Sequence, residues 1–331
     1  MPSIEQHWYR SSLTWLTMLL LPFSWLYHLA IVIRKKCYRL GINKILHADV
    51  PVIVVGNVTV GGTGKTPFVI WLAEFLKAQG WNPGIVSRGV GGRSQNYPRW
   101  VVESDSPTIV GDEAILIAKR THCPVVIGVD RPAAVQELLV QSQCNIVISD
   151  DGLQHTRLGR DLEIVMIDHA RRFGNKKLLP AGPLRESLSR LSTVDFVISH
   201  PKAEVGEIQM QLFGDELICL MNPEKKKSLD VFKNQKVHAV AAIGNPSRFF
   251  TQLKDAGIEV VEHVFPDHYV FDEKDLLFPE NLPILMTEKD AVKCQHFTCV
   301  NAWYLPISVS MDVGFEKTLL SKLGEDKLLK T

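Results

Sequence analysis

The stretch PVIVVGN (51–57) runs without a break into VTVGGTGKTP (58–67) and then into the apolar-periodic FVIWLAEFL (68–76). A β-branched run, a glycine-rich turn and a helical pattern in that order constrain the chain to strand, loop and helix. Consecutive backbone N–H groups at such a helix start converge on phosphate oxygens, and a lysine there adds a mobile positive charge. Gly61, Gly62 and Gly64 supply the turn, Thr63 lies between them, and Lys65 supplies the charge. Thr66 is placed to put a hydroxyl on Mg²⁺, and Pro67 suits a first helical turn, where a missing N–H is no loss. Thr59 stands where the usual G-x-x-x-x-G-K-[ST] pattern has its first glycine, which leaves the working half of the motif intact. The stretch predicts a nucleotide-phosphate site.

Further short Val/Ile-rich runs follow at 84–88, 124–129, 145–151, 163–168 and 195–200, with helical patterns at 67–79, 112–120 and 132–142. Continuous apolar runs mark strands covered on both faces, and the alternation implies right-handed βαβ crossovers. The expected fold is α/β, a mostly parallel sheet of the P-loop NTPase kind flanked by helices. EKKKS (224–228) marks a boundary, and strands at 237–244, 258–265, 283–287 and 303–309 with a helix at 247–256 form a second, smaller α/β unit. The expected division is 1–40, 41–225 and 226–331, the last closing over the site.

The N-terminus differs from the rest. SSLTWLTMLLLPFSWLYHLAIVI (11–33) contains no charged residue and is flanked by Arg10 and by Arg34, Lys35, Lys36 and Arg39. Its length is enough to cross a bilayer, which takes ~20 residues. Thr14, Thr17, Ser24 and His28 fall on one narrow helical stripe, which favours a helix lying in the membrane interface with Trp15, Trp25 and Tyr27 near the headgroups. A true span and a hydrophobic cap on the protein's own core are the alternatives. Pro22 is expected to kink or divide this helix. The richer basic flank puts the body on the cytoplasmic side.

A net charge of +1 over 331 residues gives no reason to expect nucleic acid as a partner. Six scattered cysteines read as reduced thiols of a cytosolic body. Cys294 and Cys299, the tightest pair, lack a second ligand pair at zinc spacing.

A phosphate loop alone does not separate a kinase from a GTPase or ATPase switch. Asp150 and Asp151 end a strand, where a carboxylate meets the magnesium of a bound nucleotide. Asp112 and Glu113 open a helix, where simple N-capping is the competing reading. His155 in DDGLQH and His268 in FPDHYVF read equally well as structural. Arg88 and Arg185-Glu186 lie in loops after strands, the face on which open α/β sheets bind ligands. Thr287-Glu288-Lys289-Asp290 resembles a guanine-reading N-K-x-D motif, with the lysine one place late.

The motifs GNVTVGGTGKTP, SRGVGG, GDEA, DDGLQH, LLPAGPLRE, FPDHYVF and MTEKDAVKC occur in the order of one family. The whole chain resembles the tetraacyldisaccharide 4′-kinases of lipid A synthesis in Gram-negative bacteria, with Val90 where that family usually has an aromatic. The resemblance implies transfer of the ATP γ-phosphate to the 4′-hydroxyl of an acylated glucosamine disaccharide 1-phosphate, with Mg²⁺. It implies Asp112 as base with His268 as its partner, and Lys65 and Thr66 on phosphate and metal. Glu113, Asp150 and Asp151 then surround the metal, with Glu186 beside them, while His155 and Arg185 are further active-site positions and Arg88 is a phosphate contact. A monomer at the cytoplasmic face of the inner membrane, in contact with phospholipid, is expected.

Overall fold

A computed structural model describes residues 4–10, 12–298 and 301–329; Ser11, which opens the apolar N-terminal stretch, and Cys299 lie outside that description. The first sheet has nine strands. In chain order they are β1 (Val52–Gly56), β2 (Pro83–Ser87), β3 (Arg99–Trp100), β4 (Val125–Ile127), β5 (Ile146–Asp150), β6 (Leu162–Asp168), β7 (Phe196–His200) and β8 (Ile208–Phe213), completed by a strand from near the C-terminus. β1 lies at the centre, parallel to β5 on one side and β6 on the other. All five residues of β1 are buried, as they must be in a parallel sheet with both faces covered. This is the α/β architecture with a mostly parallel sheet that the spacing predicts.

The helices begin with α1 (Ile4–Trp8) and α2 (Trp15–Arg39). α3 (Lys65–Ala78) leaves the phosphate loop and buries Phe68, Val69, Leu72, Ala73 and Leu76 against the sheet. α4 (Pro107–Val110), α5 (Asp112–Thr121) and α6 (Arg131–Gln141) complete the helices between these strands. Two apolar clusters, one around Ile53 and Phe68 and one around Val54 and Leu138, cover the two faces.

The second sheet contains β9 (Glu216–Cys219), β10 (Lys226–Ser228), β11 (Lys236–Ala241), β12 (Glu259–Val264), β13 (Ile284–Thr287) and β14 (Ala302–Leu305), in the order β10-β9-β14-β13-β11-β12. α7 (Pro246–Asp255) and the short α8 (Glu288–Ala291) flank it. The expected boundary at 225/226 does not coincide with this sheet. β9 precedes it, and beyond Leu305 the chain returns: β15 (Ser308–Met311) pairs antiparallel with β8, and α9 (Val313–Leu329) follows. Phe315 of α9 packs among Phe68, Trp71 and Phe196 of the first core. The run expected as one strand at 303–309 is therefore two strands in two sheets. Pro306 between them has no N–H to donate to a ladder, so the switch falls there.

α2 is one continuous helix that accommodates Pro22. Thr14 caps it through the Thr17 backbone N–H. The middle of its polar stripe faces the protein body, while His28 is exposed. Thr17 and Ser24 are buried, and Ser24 Oγ donates to Leu178 O. Trp15, Met18, Leu19, Phe23, Trp25, Leu26, Leu29 and Ile33 stand exposed on the other side. Among the described residues, α2 is the one helix long and apolar enough to cross a membrane.

Candidate active site

A cleft of about 320 Å³ opens between the two sheets. Its floor is the phosphate loop at the C-terminal end of β1, and Gly61, Gly62, Thr63, Gly64, Lys65, Thr66 and Pro67 all line it. Gly64 caps α3 with φ 78°, and a Cβ there would lie 2.8 Å from His200 Nε2. Both the left-handed backbone and the ring behind it exclude a side chain. Thr59 is buried and bridges Leu184, so it builds the loop's foot rather than lining the cleft.

Lys65 Nζ lies 3.5 Å from Asp151, and Arg185 donates to both Asp151 oxygens at 3.0 Å. Burial alone would raise the Asp151 pKa, but the two cations outweigh it and bring it down to about 2. Asp150 behaves oppositely. It is buried, near Glu113 and Asp151, and its pKa is pushed up to about 6. Ser87 Oγ holds Asp150 Oδ2 at 2.9 Å, while Oδ1 is buried without a hydrogen-bond partner. The sequence reading missed Arg131, which is 1% exposed and donates to the Gly128 and Asp150 carbonyls, locking the end of β5. Its position directly after a strand, in IGVDR, was the available signal.

The opposite wall comes from the second sheet. His268 Nδ1 sits 3.1 Å from both oxygens of Asp112. Burial favours the neutral form of Asp112, but the His268 hydrogen bond and the ammonium groups of Lys289 and Lys293 overcome it and lower its pKa. The same hydrogen bond raises that of His268 against burial. His268 and Asp151 both hold positive φ, 59° and 48°, a conformation that is uncommon for non-glycine residues. Lys289 Nζ contacts Glu113 at 3.1 Å and Asp267 at 3.3 Å, and lies 3.8 Å from Asp112. Those three carboxylates raise its pKa despite burial. The N-K-x-D likeness was thus a false lead, and Lys289 belongs to this cleft for another reason.

Besides Thr59, three residues of the expected site, Arg88, His155 and Glu186, are set away from the cleft wall. Arg88 is exposed in its loop. His155 lies in the turn after β5, where burial and then Arg131 and Arg88 take its pKa down to about 4. Glu186 was expected at the metal, but its carboxylate is 3% exposed and bound to Lys35 of α2 at 2.8 Å and to Gln154 at 3.1 Å. A lysine 151 positions away satisfies it, which sequence spacing does not reveal. No ready-made group of three or more metal-ligating side chains occurs among the described residues.

A phosphate loop faced across a cleft by an Asp–His pair is equipped to move a phosphoryl group onto a hydroxyl. The family model for tetraacyldisaccharide-1-P 4′-kinase matches residues 16–324. The chain belongs to this family. It is similar to the tetraacyldisaccharide 4′-kinase of Nitrosococcus oceani, 50% identical over 326 residues that cover 97% of this chain and 94% of that one. A relative from Methylobacillus flagellatus is 48% identical, covering 97% and 95%. Among solved structures, LpxK from Aquifex aeolicus in complex with ATP matches at 33% identity with a TM-score of 0.77, covering 93% of this chain and 99% of that one. Kinase family members thus share both sequence and fold with this chain along nearly its entire length.

Proposed function

We propose that the cleft transfers the γ-phosphate of ATP to the 4′-hydroxyl of a tetraacyldisaccharide 1-phosphate, the reaction for which the family is named. The observation that carries the reading is the Asp112–His268 pair, held across the cleft from Lys65. A sugar hydroxyl is a weak nucleophile at neutral pH, so a carboxylate within hydrogen-bond reach must receive its proton. Asp112 is ionised and takes that role, with His268 orienting it. As the hydroxyl oxygen bonds to the γ-phosphorus, the bond to the β–γ bridging oxygen breaks and ADP leaves. The hydroxyl proton passes to Asp112. Lys65 and the loop N–H groups hold the phosphates in line.

The residues present suit Mg²⁺. Asp150 offers a buried carboxylate oxygen with no hydrogen-bond partner, and Thr66, Glu113 and Asp151 line the cleft beside it. One or two carboxylates with phosphate and water are the usual ligands of this ion. When bound, it would neutralise phosphate charge; Asp150 and Thr66 would hold it.

The exposed apolar face of α2 supports a membrane role. A multiply acylated substrate leaves a bilayer only at about 0.8 kcal/mol per CH₂. The enzyme must work at the bilayer surface, with α2 in the interface and the body on the cytoplasmic face of the inner membrane. Phospholipid contacts run along Trp15, Leu19, Trp25 and Leu29, near the basic residues 34–39. The chain acts as a monomer in this reading.

The test is transfer of labelled γ-phosphate from Mg·ATP to tetraacyldisaccharide 1-phosphate in mixed micelles. Label on the lipid supports the reading. Phosphate released to water with none on the lipid would make the chain a nucleotide hydrolase instead.

A further inference from the structure

Four basic side chains come from the second-sheet side: Arg248, His268 and Lys289 line the cleft, and Lys293 is buried 4.0 Å from Asp112. Three have settled partners. His268 is on Asp112, and Arg248 lies by His200 at 3.4 Å and senses Asp168. Lys293 is clamped by Asp290 at 2.6 Å over the Phe271 ring and is 6% exposed. Lys289 is shared among several carboxylates rather than held by one. It lines the cleft, follows the capped start of α8 at Thr287, and has three carboxylates around one ammonium, from both walls.

That arrangement leaves Lys289 shared among several carboxylates. Asp112, Glu113 and Asp267 all lie within 4 Å of its ammonium, and Asp112 and Asp267 also have His268 within that distance, so neither depends on Lys289 alone. A flexible four-carbon stem and three rotatable N–H donors let a lysine exchange partners cheaply. Geometry then says which partner is within reach. The hydroxyl that delivers its proton to Asp112 must lie at hydrogen-bond distance from that carboxylate, and the phosphorus it attacks about 3–3.5 Å further on. Lys289 Nζ is 3.8 Å from Asp112 Oδ2. A phosphoryl group placed for in-line transfer therefore has an equatorial oxygen within a side-chain swing of Lys289. Lys65 approaches from the opposite, first-sheet side, beside Asp151.

We propose that Lys289 is a catalytic residue that binds the transferring phosphoryl group, leaving Glu113 as it does so. The proposal rests on the kinase reading above. It divides charge stabilisation between the walls: Lys65 supports the phosphates of the leaving nucleotide, and Lys289 the group in flight. Because Lys289 belongs to the second sheet, the full set of cations assembles only when the two sheets face each other across the cleft as here. Charge placed where negative charge develops in transfer is worth more in the transition state than in the ground state.

The experiment compares binding of Mg·ADP with binding of Mg·ADP plus aluminium fluoride, which mimics the planar phosphoryl group, in wild type and Lys289→Met. Expected is Mg·ADP affinity within three-fold of wild type, and at least a hundred-fold weaker fluoride complex. Equal loss of both, or loss of neither, overturns the proposal. Failure of wild type to bind either would instead sink the nucleotide reading itself. Should Lys289→Met not fold, a crystal structure of wild type with Mg·ADP and aluminium fluoride decides. Lys289 Nζ within hydrogen-bond distance of fluoride is expected; Lys289 still seated between Glu113 and Asp267 overturns the assignment.

Discussion

His268 Nδ1 meets both carboxylate oxygens of Asp112 at 3.1 Å, although 156 residues separate them and they belong to different sheets. Neither residue can act as half of a pair unless the chain has built both units. In the proposed reading, catalysis is a property of the interface between the two units.

A pair acting as a unit gives non-additive losses. Asp112→Asn is expected to lower kcat for lipid phosphorylation by about 10²–10⁴-fold, the usual range for a general base. His268→Gln should cost less, because Asp112 keeps Lys289 and Lys293 nearby. The double variant should be no slower than Asp112→Asn alone. Losses that multiply would mean that His268 acts on something other than Asp112.

The pKa of Asp150 near 6, raised by burial and then by Glu113 and Asp151, would make metal binding there pH-dependent. Without metal the native chain holds a proton there between the ordinary 3.8 and about 6 that the unfolded chain does not. Its contribution to stability therefore falls as pH rises through that window. Mg²⁺ must displace that proton below pH 6 but not above it. Thermal shift with Mg²⁺ should be larger at pH 7.5 than at pH 5, and Asp150→Asn should erase the difference. Equal shifts at both pH values in wild type would remove Asp150 from the metal.

The phosphate loop and central strands were legible because their signals are local: glycines, a lysine and β-branched runs adjacent in sequence. Asp112 and His268 became legible only through the resemblance, since nothing in their own neighbourhoods distinguishes them from a helix cap and a loop histidine. Three features were not legible at all. The return of β15 and α9 to the first sheet depends on Phe315 finding Phe68 and Phe196. The pairing of Glu186 with α2 depends on Lys35. The membership of Lys289 in the cleft depends on Glu113 and Asp267. Each is a pairing across long sequence separation, to which periodicity is blind.

His200 lies behind the phosphate loop, with Nε2 at 3.1 Å from Thr63 O. Burial and then Arg248 take its pKa down to about 4 from the ordinary 6.5. Between those values the unfolded chain binds a proton that the native chain refuses. Stability is therefore lost as pH falls from 6.5 to 4, by on the order of 3 kcal/mol at most. Urea unfolding of His200→Gln should show a shallower acid limb than wild type. His155 carries the same sign, so part of the slope should persist. An unchanged limb would mean that His200 is protonated in the native state.

Lys35 of α2 ends 2.8 Å from Glu186, and Glu186 shares Gln154 with Arg185, whose guanidinium holds Asp151. Tyr27 and Arg34 add contacts from the same helix to the Arg185 and Gln154 carbonyls. The exposed apolar helix is thus tied to the loops that place Arg185, and it cannot be removed as an independent anchor. Glu186 is buried, whereas the Lys35 side chain is 42% exposed, so solvent screens one partner only. Lys35→Met and Glu186→Gln should each destabilise the protein by about 1–2 kcal/mol. The double variant should cost less than the sum, because it leaves no buried carboxylate short of a cation. Purely additive costs in urea unfolding would show that the pair is not coupled. A Glu186→Gln variant with ten-fold weaker Mg²⁺ dependence, beside a normal Lys35→Met, would return Glu186 to the metal.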